Sequence, residues 1–244
     1  MYPSNPLTLQ EKIITKVLWT LTGLIAGIGL LTLLGWVLKI PSLTTWQSGQ
    51  QTMSRMSELL SLLLSSALGL CLLNSSNQRI NISAKLIIWL GVLVALLLCF
   101  LSIKSHYLPA EHLGLSIYGL SENSPVGYIS IITAFCFLLA FINLLILNAP
   151  NPVIPWRIGL CCGVNAIILF ISLGFLLAYS FGLPLFITNI ILLPALNSIL
   201  SLPLIGLALL TLNYQAFYVS QSVSQSVSQS VSQSVSQSVS QILC

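Results

Sequence analysis

Six apolar runs, none of which contains a charged residue, dominate this 244-residue chain. They are Val17–Leu38, Leu59–Leu73, Leu86–Ile103, Gly127–Leu147, Ile158–Ser180 and Phe186–Leu212. A helix rises about 1.5 Å per residue, so about 20 apolar residues cross a hydrocarbon core about 30 Å thick. The second run is short, but Arg55 and Glu58 precede it closely enough for their side chains to reach back to the membrane interface. The sequence therefore predicts an all-α integral membrane protein with six transmembrane helices.

Composition argues against both a soluble fold and a membrane barrel. Hydrophobic residues make up 56% of the chain and charged residues only 5%, whereas soluble domains contain about 25% charged residues. Barrel strands alternate between apolar and polar residues over about ten positions, and the runs here are longer and continuously apolar. Helices satisfy every backbone hydrogen bond internally, as the bilayer core requires.

The basic residues predict the topology. With six spans, Lys12, Lys16, Arg79, Lys85 and Arg157 lie on the side of both termini, and Lys39, Arg55 and Lys104 lie on the other side. Five against three favours cytoplasmic termini in the inner (plasma) membrane. We expect a cytoplasmic N-terminus over 1–16, a six-helix membrane domain over 17–212, and a juxtamembrane segment and repeat tail over 213–244. The basic residues are dispersed without interleaved aromatics, so no nucleic-acid binding is indicated.

The predicted helices pair into three hairpins, each a long apolar helix, an outer loop and a second helix with a repeated texture. Small residues recur among large apolar ones in Ala67-Leu68-Gly69-Leu70, Thr133-Ala134-Phe135-Cys136 and Leu204-Ile205-Gly206-Leu207. Small residues let neighbouring helix backbones approach closely. The recurrence predicts a triplicated hairpin in which Gly69, Phe141 and Gly206 mark equivalent positions.

At these residues the chain resembles the multi-span N-terminal sensor module of bacterial sensor histidine kinases and diguanylate cyclases. That family repeats a glycine-aromatic turn, an outer loop and a helix of the pattern Met-x-x-Asn-Thr-Ala-Leu-x-Phe-Leu-Leu-x-Gly-Leu. The third hairpin matches at Asn197 and Gly206, the second at Thr133 and Ala134 with Ile132 and Phe141 replacing asparagine and glycine, and the first at Gly69 with Leu60 replacing asparagine. The resemblance spans Trp19–Leu212 and implies a membrane-embedded signal-input module whose output domains are cytoplasmic.

A perfect Gln-Ser-Val-Ser repeat without charge occupies Val219–Gln241. In a helix, its four-residue period places valine on a stripe that drifts about 40° per repeat, because a helix turns every 3.6 residues. Neither a helix nor a strand would bury enough apolar surface to offset the entropy of ordering. The sequence therefore predicts a disordered, low-complexity tail.

The repeat also suggests a history for the gene. The DNA unit CAGT, read three times, gives CAG-TCA-GTC-AGT and encodes Gln-Ser-Val-Ser in every forward frame. Loss or gain of one unit would leave the repeat unchanged and shift the frame beyond it. The sequence thus raises the hypothesis of a frameshift-truncated or phase-variable signalling protein, with an output domain encoded downstream in another frame.

No catalytic constellation is visible, so we expect no enzymatic activity and no cofactor. A histidine kinase needs a phosphoacceptor histidine on a cytoplasmic helix, whereas His106 and His112 both lie in a predicted outer loop. With Glu111 they form a titratable cluster that is a candidate for zinc binding or proton sensing, the alternative being a solvated loop. The Cys161–Cys162 pair could hold a soft metal, although cysteine in an apolar helix also packs as a small hydrophobe.

Helix packing explains the polar residues within the predicted spans. Asn143, Asn165 and Asn197 can bond across helices, typically for about 1 kcal/mol, and lining a ligand pathway is the alternative. Gly69 and Gly206 are expected at helix contacts.

Three functions remain open: a signal-input module, a small carrier, and a structural or assembly subunit without catalytic activity. The carrier interpretation lacks a charge within any apolar run that would mark a pathway, so the signal-input module is favoured. The expected partners are the lipid bilayer and either a second copy of the chain or a separate signalling protein.

Overall fold

A computed structural model of the chain describes residues 9–40, 54–73, 78–104, 129–149, 155–181 and 196–243. These residues contain six helices and no strand. The helices are α1 (Leu9–Leu38), α2 (Arg55–Leu72), α3 (Gln78–Ile103), α4 (Ile131–Leu147), α5 (Pro155–Ser180) and α6 (Leu196–Leu243). The predicted all-helical class is confirmed over the described residues, and each helix covers most of one apolar run.

Five of the helices, α1, α2, α3, α5 and α6, are long and apolar enough to cross a membrane. The remaining helix, α4, is apolar along its length but contains 17 residues. Such a helix rises about 26 Å, slightly less than the usual hydrocarbon thickness. The structure therefore contains five candidate spans and one shorter apolar helix.

Local sequence explains where α1 ends and where α5 begins. Lys39 adopts a left-handed backbone with φ 59° directly after α1, and the Ile40 N–H donates to the Gly35 carbonyl oxygen at 2.9 Å. This is the Schellman arrangement that satisfies the last carbonyls of a helix. At the start of α5, Pro155 occupies the first helical position, where its fixed φ suits the helix and no N–H is needed.

The helices form a closed ring with three members turned towards its centre. Consecutive helices pack together, α6 also packs on α1, and the contacts are most extensive within the pairs α1–α2, α3–α4 and α5–α6. In addition, α2, α4 and α6 all contact one another, whereas α1, α3 and α5 make no such contacts within the described residues. We call α2, α4 and α6 the inner helices and α1, α3 and α5 the outer helices.

Burial follows the same division. Within the membrane-spanning stretch of each helix, half of the residues of α2 and 44% of those of α6 are buried. The corresponding shares are 33%, 28% and 22% for α1, α3 and α5. The outer helices expose leucine, phenylalanine and tryptophan along most of their length. That pattern is expected of side chains whose solvent is lipid, because lipid tails are as apolar as leucine.

The prediction of a disordered tail is wrong, because α6 continues through the repeat to Leu243. Extending an existing helix requires no new nucleus, and each added residue gains one backbone hydrogen bond. No glycine or proline interrupts the repeat. Ser228, Ser232 and Ser236 each donate a side-chain hydrogen bond, at 2.8–2.9 Å, to the carbonyl oxygen three residues earlier.

Candidate functional site: a buried polar cluster

A cluster of charged and polar side chains is buried where the end of α1 meets the starts of α2 and α6. Arg55 and Glu58 are each only 1% exposed. The expectation that these two side chains reach back to the membrane interface is therefore wrong. The first turn of α2 belongs to an inner helix, so its side chains meet neighbouring helices instead of headgroups.

The cluster is held together by one ring contact and several serine hydroxyls. The guanidinium carbon of Arg55 lies 4.0 Å from the centroid of the Trp36 ring, within the range of a cation–π contact. The Ser57 hydroxyl donates to the Ser54 carbonyl oxygen at 2.6 Å and lies 3.4 Å from Glu58 Oε1. The Ser198 hydroxyl of α6 lies 3.4 Å from the Ser57 hydroxyl. Polar groups thus connect all three helices.

Several buried polar atoms of the cluster have no hydrogen-bond partner among the described residues. They are Glu58 Oε2, Trp36 Nε1 and Ser54 Oγ. A buried polar group without a partner costs about 1–3 kcal/mol, and more when it is charged. The carboxylate oxygen can accept a hydrogen bond, the indole N–H can donate one, and the hydroxyl can do either. These are the groups that a small polar ligand would engage.

The cluster lies close to one end of the bundle. Glu58 is the fourth residue of α2, so it is only about 5 Å along the helix axis from the first residue. Trp36 is two residues from the end of α1, and Ser198 is two residues from the start of α6. The carboxylate is therefore about one helical turn from the start of α2.

A polar stripe on α2 was the sequence signal for this site. Ser54, Ser57, Ser61 and Ser65 recur at spacings of three and four residues and are all buried. Residues at that spacing lie on one helix face. A serine face on a membrane helix indicates contact with protein, and Arg55 and Glu58 lie in the same first turn.

A second buried polar contact joins α4 to α5. The Asn143 side-chain amide donates to Asn165 Oδ1 at 2.6 Å and to the Cys161 carbonyl oxygen at 3.2 Å, and both asparagines are fully buried. This contact lies between an inner and an outer helix and serves packing. The third candidate, Asn197, lies in the first turn of α6, and its side chain is outside the described part of the structure.

The three positions marked by the hairpin recurrence each face the outer helix of their own pair. A Cβ atom added at Gly69 would lie 3.9 Å from the Trp19 ring, and one added at Gly206 would lie 2.7 Å from Leu169. At the second position the large residue lies on the inner helix and the glycine on the outer one. Phe141 packs against Gly91, where an added Cβ would overlap the Phe141 ring. Each contact thus pairs glycine with a large side chain, and Phe141 is accommodated by a glycine on the opposite helix.

The remaining sequence candidates are not brought together in the described structure. His106, Glu111 and His112 lie outside the described residues. Within the described ranges, no group of three or more potential metal ligands is found. Cys161 is buried and Cys162 half-buried, and both thiols are free.

Comparisons with protein-family models, curated proteins and solved structures found no match.

Proposed function

We propose that this chain is a six-span membrane protein that acts as a signal-input module, and that the buried polar cluster is its input site. The observation that carries the proposal is the burial of Arg55 and Glu58 inside a candidate membrane span. Charged residues in such spans are costly, face the bundle interior and mark functional sites. The resemblance to sensor modules supports the same function, as do the three helix pairs.

The position of the cluster favours signal input over transport. Carrier sites lie near the middle of the bilayer, where both sides can gain access in turn. Glu58 lies one turn from the start of α2, which suits a site that is approached from one side of the membrane only. In the proposed topology, with both termini cytoplasmic, that side is the outer one.

A small carrier is the second candidate function. The buried Arg55 and Glu58 favour it, because intramembrane charges also mark transport pathways. A structural or assembly subunit would not require unpartnered polar atoms in its interior, which makes it the third choice.

Thermal unfolding of the full chain in detergent would test the input site. The buried thiols of Cys99, Cys136 and Cys161 allow a thiol-reactive dye to report unfolding. The chain would be screened against amino acids, sugars, nucleosides and monovalent and divalent cations. We expect at least one compound to raise the Tm of the wild type, since a ligand of the native state stabilises it by mass action.

Two glutamate variants then locate the binding. Glu58→Gln should abolish the shift, whereas Glu11→Gln, which changes the other acidic residue of the described helices, should retain it. An equal shift in the Glu58→Gln variant would refute the proposed site. Accumulation of the same compound in proteoliposomes would identify the chain as a carrier instead.

Reporter fusions after residue 50, after residue 115 and at the C-terminus would test the proposed topology. The first two reporters should be active outside the cytoplasm and the third inside. A C-terminal reporter active outside would contradict it.

A further inference from the structure

A cavity of about 220 Å³ lies between the start of α3 and the end of α4, at the end of the bundle opposite the polar cluster. We call it the α3–α4 groove. It is lined by Lys85, Ile88, Trp89, Leu145, Asn148 and Ala149. Among the described residues, the lining of the groove comprises one cation, one amide, one indole and three aliphatic side chains, and no acidic residue.

The groove is lined by one face of α3 and by the C-terminal end of α4. Lys85, Ile88 and Trp89 have the spacing of neighbours on one helix face, whereas Leu145 lies in the last turn of α4 and Asn148 and Ala149 directly follow that helix. The Asn148 side-chain nitrogen is buried and donates to no acceptor among the described residues. The groove is therefore lined by a basic residue, by an amide whose donor is unused among the described residues, and by an apolar wall.

The polar groups of the groove lie at the depth of the lipid headgroups. Lys85 directly precedes the charge-free stretch Leu86–Ile103, which rises about 27 Å and so nearly matches the hydrocarbon core. Trp89 lies one turn further in and is 54% exposed. Tryptophan favours this depth, where its ring meets both the acyl chains and the interface.

We propose that the α3–α4 groove binds the phosphate of an anionic phospholipid from the leaflet on the side of the N-terminus. Lys85 and Asn148 donate to the phosphate oxygens, and the Lys85 bond is strengthened by charge. The acyl chain lies against Ile88, Trp89 and Leu145. Basic pockets between membrane helices bind anionic headgroups in this manner, and positive-inside topology places this groove in the leaflet that carries such lipids.

The cavity size supports a headgroup as the occupant. Pockets for whole drug-sized molecules have volumes of about 300–1,000 Å³, and the groove is smaller. It accommodates a phosphate with its substituent, while the exposed side of Trp89 is left for the chain. This proposal rests on the proposed topology and not on the buried polar cluster, so its failure would leave the signal-input site untouched.

Native mass spectrometry of the full chain in detergent would measure the affinity for three probes. They are dioctanoylphosphatidylglycerol, dioctanoylphosphatidylcholine and inorganic phosphate. We expect phosphatidylglycerol to bind about fivefold more tightly than phosphatidylcholine, the ratio expected for one basic residue at a membrane surface. Inorganic phosphate, which cannot use the apolar wall, should bind more weakly than either lipid.

Four variants would assign the binding to the groove. Lys85→Gln should weaken phosphatidylglycerol binding about fivefold, and Lys85→Arg should retain it. Asn148→Leu, which leaves every charge in place, should also weaken it. The matched control is Lys104→Gln, since Lys104 lies at the opposite end of α3 with its ammonium 4.6 Å from the Phe100 ring centroid, and this variant should bind as the wild type does.

Two results would overturn the proposal. One is unchanged phosphatidylglycerol affinity in both Lys85→Gln and Asn148→Leu, each verified as folded by an unchanged elution volume and Tm. The other is binding of inorganic phosphate as tightly as phosphatidylglycerol, which would identify a soluble phosphate as the ligand and exclude the lipid.

Discussion

The inner and outer helices of this protein place their apolar side chains in opposite environments. The outer helix α5 places Phe170 in lipid with 83% of its side chain exposed, whereas the inner helix α4 buries Phe141 completely. Polar residues divide the other way, since the inner helices bury Arg55, Glu58 and most of the buried serines. An apolar side chain is stable in either environment, but a polar one is stable only against protein. The difference teaches that polarity, more than hydrophobicity, decides which helix lies inside.

Removing a large, fully buried side chain of an inner helix would test this comparison with the largest effect. We expect Phe141→Ala to lower the free energy of unfolding by about 3–5 kcal/mol, because it leaves a cavity beside Gly91. Phe170→Ala on the outer helix should change it by less than about 0.5 kcal/mol. Unfolding by sodium dodecyl sulfate in mixed micelles measures both, and equal losses would refute the division into inner and outer helices.

A methyl group added at Gly91, where α3 packs closely on α4, should have a smaller effect. We expect Gly91→Ala to cost about 1–3 kcal/mol, since its Cβ overlaps the Phe141 ring and forces the helices apart. Gly69→Ala is the matched control, because the Trp19 ring is at ordinary van der Waals distance there. In the same unfolding assay, the double variant Gly91→Ala/Phe141→Leu should lose less than the sum of its single variants. Strict additivity would show that the two positions do not contact each other.

The amide contact between α4 and α5 should contribute less again. Asn143→Ala removes the donor to Asn165 and should cost about 1 kcal/mol, as expected for side-chain hydrogen bonds between membrane helices. A double-mutant cycle with Asn165→Ala checks the origin of this loss. The coupling energy should account for most of it, and a coupling near zero would indicate that the loss comes from packing alone.

Truncation after Tyr218 should have the smallest effect on stability. In the repeat, Val231 and Val235 are each more than half exposed, so removal of the repeat should change the free energy of unfolding of the bundle by less than about 0.5 kcal/mol. Far-UV circular dichroism should nevertheless lose the helical signal of the removed residues. An unchanged spectrum would show that the repeat is not helical and would restore the disordered tail predicted from sequence.

The sequence predicted well where the membrane helices lie along the chain, and poorly what surrounds individual side chains. Charge-free runs of about 20 residues identified the membrane class, since no other backbone structure suits that composition. The same reasoning failed for Arg55 and Glu58, whose nearness to the end of a run predicted an interfacial position. It also failed for the repeat, where low burial predicted disorder and the preceding helix supplied the nucleus instead.

The amino-acid sequence by itself determined that this protein is helical and belongs in a membrane, because those properties depend on each segment and its solvent alone. Only the tertiary structure decided which helices are inner, that Phe141 faces Gly91, and that Lys85 and Asn148 share a groove. These pairings join residues distant in the chain, and apolar side chains carry no local mark of whether lipid or protein surrounds them. The physical reason is that lipid and protein interior are nearly equivalent solvents for an apolar helix, so packing chooses between them.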